Sequence, residues 1–262
     1  MKHIYFIFLI FSILSCSTEK HSNTEELPIE KEEDVKAQVI TDKAIQIHGG
    51  AILNNAKVTF DFRERNYVAI RNGGKYQYER IFTDSTGNKV RDVLSNEGFF
   101  REVNNEKITL PEDRVKAFSN SVNSVIYFAL LPYFLNDKAV NKKYLGETNI
   151  KEEPYDKILV TFQAKGGGKD HEDEYVYFFH KEKHTMDYLA YNYQVDGGGA
   201  RFREAYNKRN IEGVRFADFI NYEPVNKSME VTSFDSLFVN GQMKELSRIE
   251  TENIKLENTP IQ

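Results

Sequence analysis

The sequence predicts an α+β fold: a highly curved antiparallel sheet of about ten strands with a few helices. Three observations lead to it. Apolar residues recur at helical spacing over residues 34–48 and then alternate over most of the remaining chain. Clusters of Gly, Asn and Ser punctuate the alternating stretches. One segment, 125–135, breaks the alternation with more apolar surface than a single helix face needs.

The order begins with a targeting signal. Lys2 and His3 precede an apolar run from Ile4 to Leu14. At about 11 residues it is far short of the roughly 20 that span a bilayer, and it suits the hydrophobic region of a secretory signal. Ile13-Leu14-Ser15-Cys16 follows, an aliphatic residue at −3 and a small one at −1 before the chain's single Cys. The pattern resembles a bacterial lipobox, which implies cleavage before Cys16 and acylation of that residue. The competing reading is a secreted soluble protein with an incidental Cys. Residues 1–15 thus read as a lipoprotein signal peptide, and taking Lys2 from a net charge of −5 leaves −6. Residues 16–33 are polar and rich in Glu, too poor in apolar side chains to fold alone, and read as an acidic flexible tether.

Residues 34–256 read as one domain and 257–262 as a tail. Val35, Val39, Ile40, Ala44, Ile45 and Ile47 form a helical stripe that Gly49-Gly50 stops. From Ala56 to Ile108 the period is two, as in Val58, Phe60 and Phe62, with turns at Asn72-Gly73-Gly74, Ser85-Thr86-Gly87-Asn88 and Asn96-Glu97-Gly98. This predicts a meander. Pro111, Glu112 and Asp113 open a second helix. It runs into Val125-Ile126-Tyr127-Phe128-Ala129-Leu130-Leu131, apolar on all sides, before Pro132, Tyr133 and Phe134. Such a segment is either buried core or a lid over something apolar. Further strands follow around Ile158–Phe162, Tyr175–Phe179, Met186–Ala190, Arg201–Lys208 and Gly213–Tyr222, then a short helix near 233–239 and a last strand over 245–256. Glycine triplets at 166–168 and 197–199 read as hairpin tips.

The composition narrows the function. A net charge of −5 excludes the overall basic field of a nucleic-acid binder, and one Cys excludes a disulfide scaffold or a Cys-rich zinc site. With 19 Phe and 15 Tyr the chain has ample mass for a core. Neither glycine triplet fits a phosphate loop, and no zincin or nucleophile-elbow motif occurs. His180 and His184 read as exposed residues of a hairpin turn.

Two polar groups remain. Asp170-His171-Glu172-Asp173 offers an imidazole and three carboxylates, a composition that suits a divalent ion, with Asp170, His171 and Asp173 as candidate ligands. Alternation along a strand lets at most two of the four share an ion, and a plain polar loop is the simpler reading. In Arg201-Phe202-Arg203-Glu204-Ala205, Glu204 interrupts an aromatic face, and Asp218 does so on the next strand. An acid on an apolar face is costly unless paired. These residues are either members of salt-bridge ladders or polar groups that orient a ligand's head group in a greasy cavity.

The order of lipobox, tether, Ala44-Ile45-Gln46-Ile47-His48-Gly49-Gly50, meander, helical insertion and second meander resembles the LolA/LolB-like lipoprotein-carrier superfamily. Leu130-Leu131-Pro132-Tyr133, Asp170-His171-Glu172-Asp173, Asp187-Tyr188-Leu189-Ala190-Tyr191 and Arg201-Phe202-Arg203-Glu204-Ala205 are similar to motifs of an uncharacterised family of Bacteroidetes lipoproteins. The resemblance covers residues 34–225. It implies a half-open barrel whose helices cap an apolar cavity, and binding of acyl chains without catalysis. The expected ligand-binding residues are Tyr127, Phe128, Leu130, Leu131, Tyr133, Tyr188, Arg201, Arg203, Glu204 and Asp218, with Cys16 as the lipidation site. The expected protein is a non-catalytic lipoprotein anchored by its N-terminal lipid at the outer membrane, facing the periplasm. It has no cofactor and no nucleic-acid partner, and it takes a lipid or other amphipathic ligand. The alternative is a metal-assisted hydrolase using residues 170–173.

Overall fold

The computed structural model describes residues 29–163, 173–194 and 197–259. Helix α1 (Ile29–Ile47) and the single turn α2 (Gly50–Leu53) lead into six strands: β1 (Ala56–Phe62), β2 (Arg65–Asn72), β3 (Lys75–Thr83), β4 (Lys89–Ser95), β5 (Gly98–Val103) and β6 (Glu106–Ile108). Helix α3 (Glu112–Ala129) and a 3-10 turn (Tyr133–Asn136) come next. A second set follows: β7 (Val140–Ile150), β8 (Glu153–Phe162), β9 (Tyr175–His180), β10 (Met186–Tyr193), β11 (Gly199–Ile211) and β12 (Val214–Pro224). Helix α4 (Phe234–Val239) and strands β13 (Met243–Ile249) and β14 (Glu252–Asn258) end the chain.

The strands form two seven-stranded antiparallel sheets, in the orders β14-β1-β2-β3-β4-β5-β6 and β13-β12-β11-β10-β9-β8-β7. They do not close into a barrel. β13 pairs with β12 while β14 pairs with β1, so the chain passes from one sheet to the other across Glu250 and Thr251. The sequence reading of one strand over 245–256 is corrected here: the segment is two strands in different sheets. Asp218 holds the crossing. Its carboxylate accepts from Asn207 Nδ2 at 2.6 Å, from Arg209 Nη2 at 3.0 Å and from the Thr251 amide at 3.0 Å.

Two other boundaries differ from expectation. α1 starts at Ile29 and takes in residues 29–33 of the stretch read as tether. β7 escapes a period-two reading because it is a half-wet edge strand carrying Lys142 and Lys143.

α1 buries Ala37, Thr41 and Ala44 against the second sheet. Its end is fixed by Gly49 in the left-handed region (φ 84°), where a Cβ would lie 2.6 Å from the Gly213 carbonyl. His48 is buried beside it. Its Nδ1 donates to the Ala44 carbonyl at 2.8 Å, and its Nε2 accepts from Arg215 Nη1 at 3.1 Å. Arg215 in turn pairs with Asp187 at 2.7 Å. Burial first, and then the Arg215 charge, push the His48 imidazole down to about 4.

The second sheet is buried on both faces. One face of β8–β10 packs on α1 and the segment after α3, through Ile158, Tyr177, Phe179 and Leu189. The other, with Phe178, Tyr188 and Phe202, is covered by Val231, Phe234 and Phe238. Every residue of β9 is buried, as a strand covered on both faces requires.

Candidate functional site

α3 decides where the interior space lies. With 100° between residues, Val122, Ile126 and Leu130 share one stripe. All three are buried against Phe60, Tyr67 and Tyr78 of the first sheet. Each contributes about 1.5–3 kcal/mol by leaving water. Ser124 and Phe128 lie on the opposite side, with Val125 and Ala129 on one flank and Asn123 and Tyr127 on the other. The segment is therefore both things the sequence left open: core on one face, cavity wall on the other.

A cavity of about 260 Å³ lies on the first flank. Val125, Phe128 and Ala129 of α3 form one wall, and Phe219, Asn221 and Arg203 of the second sheet form the floor. Phe62 and Ile249 close the side near the crossing between sheets. A second cavity of about 440 Å³ lies on the other flank, lined by Tyr127, Phe128, Phe134, Phe162 and Tyr175 with Arg71, Tyr76 and Tyr78. Ser124 and Phe128 border both.

Each cavity has an arginine held by tyrosine hydroxyls at its wall, and the larger is also lined by Asn96, Asn123 and Asp137. In the larger, Arg71 donates to the Tyr78 hydroxyl at 2.6 Å and the Tyr133 hydroxyl at 3.0 Å, and Tyr133 donates to Asn54 Oδ1 at 2.7 Å. In the smaller, the Arg203 guanidinium lies 4.2 Å from the Phe128 ring centre and 5.0 Å from that of Tyr191. Its Nη2 donates to the Tyr191 hydroxyl at 2.7 Å. Its Nε is buried without a partner, as is Oδ1 of Asn221. The two residues are direct cross-strand neighbours. The smaller space, mostly apolar with a few convergent polar groups, is suited to binding an amphipathic molecule.

A family model, described as a family of unknown function (DUF6503), matches residues 2–251. The chain belongs to this family. No curated protein matches it. Among solved structures, this DUF6503 chain is similar to a LolA superfamily protein from Nitrosomonas europaea, at 12% identity and a TM-score of 0.46, over 86% of this chain and 94% of that one. It is also similar to a DUF1329 family protein from Desulfovibrio piger, at 12% identity and a TM-score of 0.46, over 84% of this chain and 92% of that one.

The residues singled out from the DUF6503 sequence fall in several places. Phe128 and Arg203 meet in the smaller cavity, and Tyr127 and Phe128 line the larger. Tyr133 supports Arg71. Leu130 and Leu131 are core, 3% and 7% exposed. Tyr188 and Glu204 lie together on the far face of the second sheet, where the Glu204 carboxylate accepts from the Tyr188 hydroxyl at 3.5 Å and from the Tyr222 hydroxyl at 3.3 Å, and Lys151 pairs with the same carboxylate. Arg201 donates to the Tyr193 hydroxyl at 2.8 Å near the glycine turn at 197–199. Asp218 sits at the crossing between sheets.

Cys16, Asp170, His171 and Glu172 lie outside the described residues. Asp173 is buried and accepts from the Gln194 amide at 3.3 Å. Among the described residues no group of three or more His, Cys, Asp or Glu could hold a metal. His180 departs from its reading as exposed: it is buried, bonded to Glu153 at 2.8 Å, and accepts the Glu182 amide at 3.1 Å, so it closes its own hairpin turn. The sequence reading missed Asn221 and Phe219. It followed the face of β12 that carries Asp218, and the opposite parity (217, 219, 221) forms the cavity floor.

Proposed function

We propose that the protein is a lipoprotein of the cell envelope, anchored through Cys16, that binds a lipid or other single-chain amphipathic ligand without catalysis in the space on either side of α3. The observation that carries this reading is the pair of cavities on the two flanks of α3, both bordered by Phe128 and Ser124. The wall of the smaller is largely aromatic and aliphatic, which favours hydrocarbon over water, while the larger is more polar, with Asn96, Asn123 and Asp137 beside its aromatic rings. Each has a cation at its wall, which suits a ligand with a polar end. Among the described residues no helix is long and apolar enough to cross a membrane. The anchoring is read from the lipobox-like Ile13-Leu14-Ser15-Cys16 alone, since several acyl chains on Cys16 would give stable attachment.

The test is titration of the full chain with a naturally fluorescent polyene fatty acid. The expected result is a saturable rise in emission that an unlabelled fatty acid reverses by competition. A folded chain that produces no saturable rise contradicts the reading.

A further inference from the structure

We propose that Arg203 and Asn221 form a head-group site for a carboxylate, so that the ligand of the smaller cavity is a free carboxylic acid on an acyl chain. This deepens the ligand-binding reading above and rests on it.

The first support is charge. Two arginines, Arg203 and Arg63, line the smaller cavity, and no carboxylate does. This holds in a chain whose net charge is −5. Arg203 makes no ion pair among the described residues, whereas Arg80, Arg91, Arg101, Arg209 and Arg215 are all paired with acids. A half-buried guanidinium held only by two aromatic faces and one phenol is incompletely compensated. An anion entering the cavity completes it.

The second support is hydrogen bonding. A guanidinium has five N–H donors, and Arg203 directs one to Tyr191 and leaves Nε with no acceptor. Asn221, directly across the strand pair, donates to Ser247 Oγ at 3.4 Å and leaves Oδ1 unused. A hydroxyl donates as well as it accepts, so the Asn221 amide can turn, take a bond from Ser247 through Oδ1 and present Nδ2–H to the cavity. One carboxylate oxygen then accepts from Arg203 and the other from Asn221. Charge-assisted bonds of this kind are the strong ones. The ring of Phe128, stacked on the guanidinium, is placed to cover the first carbons of the chain. An alcohol or ester of the same length would gain the chain contacts and lose the charge.

The experiment compares decanoate, decanol and methyl decanoate on the full chain by calorimetric titration near neutral pH. The wild type is expected to bind decanoate at least about tenfold more tightly than either neutral ligand. In Arg203→Gln that preference should vanish. Asn221→Asp places a near-isosteric carboxylate opposite Arg203, so it should abolish decanoate preference with the melting temperature retained, and it decides the matter if Arg203→Gln does not fold. Equal binding of decanoate and decanol by the wild type, or a preference that survives Asn221→Asp, overturns the head-group site and leaves the ligand-binding reading standing. Failure of the wild type to bind any of the three overturns both.

Discussion

Phe128 and Leu130 are two residues apart on one helix and have opposite duties. Phe128 is half-buried between two cavities and lies over Arg203. Leu130 is 3% exposed in the core under the first sheet. Phe128→Ala removes cavity wall and a cation–π partner, so ligand affinity should fall about tenfold while stability falls by roughly 1–2 kcal/mol. Leu130→Asp buries an unpaired charge and should cost about 3–5 kcal/mol whether or not ligand is present. Chemical denaturation and ligand titration on both variants check this. If Phe128→Ala bound ligand as the wild type does, the cavity wall would be misplaced. The sequence showed that residues 125–135 carry excess apolar surface. It could not show how that surface divides between core and cavity, because the division depends on which flank meets the second sheet.

Two elements owe their positions to single buried polar groups. The C-terminus of α1 is pinned by His48 through Arg215 to Asp187. The folded imidazole titrates at about 4, while an unfolded one titrates at about 6.5. Between these values the unfolded chain binds more protons, so stability is full above about 6.5 and declines as pH falls toward about 4. The loss is on the order of 3 kcal/mol from this group. Thermal unfolding in that pH window should therefore be steeper for the wild type than for His48→Gln, and parallel curves would refute the assignment. At the other end, Asp218→Ala removes the acceptor for Asn207, Arg209 and Thr251 at the crossing from β13 to β14. It should cost about 3 kcal/mol by denaturation. The crossing was illegible in the sequence because Glu250-Thr251 contains neither Gly nor Pro. β9, by contrast, was legible, since five apolar residues in a row with Tyr and Val among them fit a strand buried on both faces.

At the scale of the whole molecule, the proposed anchor rests on the sequence and the proposed ligand site on the structure. The single Cys lies two residues after the apolar run Ile4–Leu14, and on the proposed anchoring Cys16→Ser should abolish incorporation of labelled palmitate and release the protein from membranes; persistence of label or of membrane partition would refute the anchor. The antiparallel arrangement was legible from alternation and turn chemistry, and the half-open form was implied only by the family resemblance. That it resolves into two sheets, with α3 standing between two cavities, was not, because alternation fixes faces and says nothing of how far a sheet curves. The central claim is that an acyl chain lies beside α3 and not elsewhere in the fold. The chain has no Trp, so one can be placed at will. Phe62→Trp sets a reporter at the smaller cavity, and Phe238→Trp sets one under α4 on the far side of the second sheet. Titration with a fatty acid brominated along its chain should quench the first reporter saturably and leave the second unchanged. Equal quenching of both, or quenching of the second alone, would contradict the account.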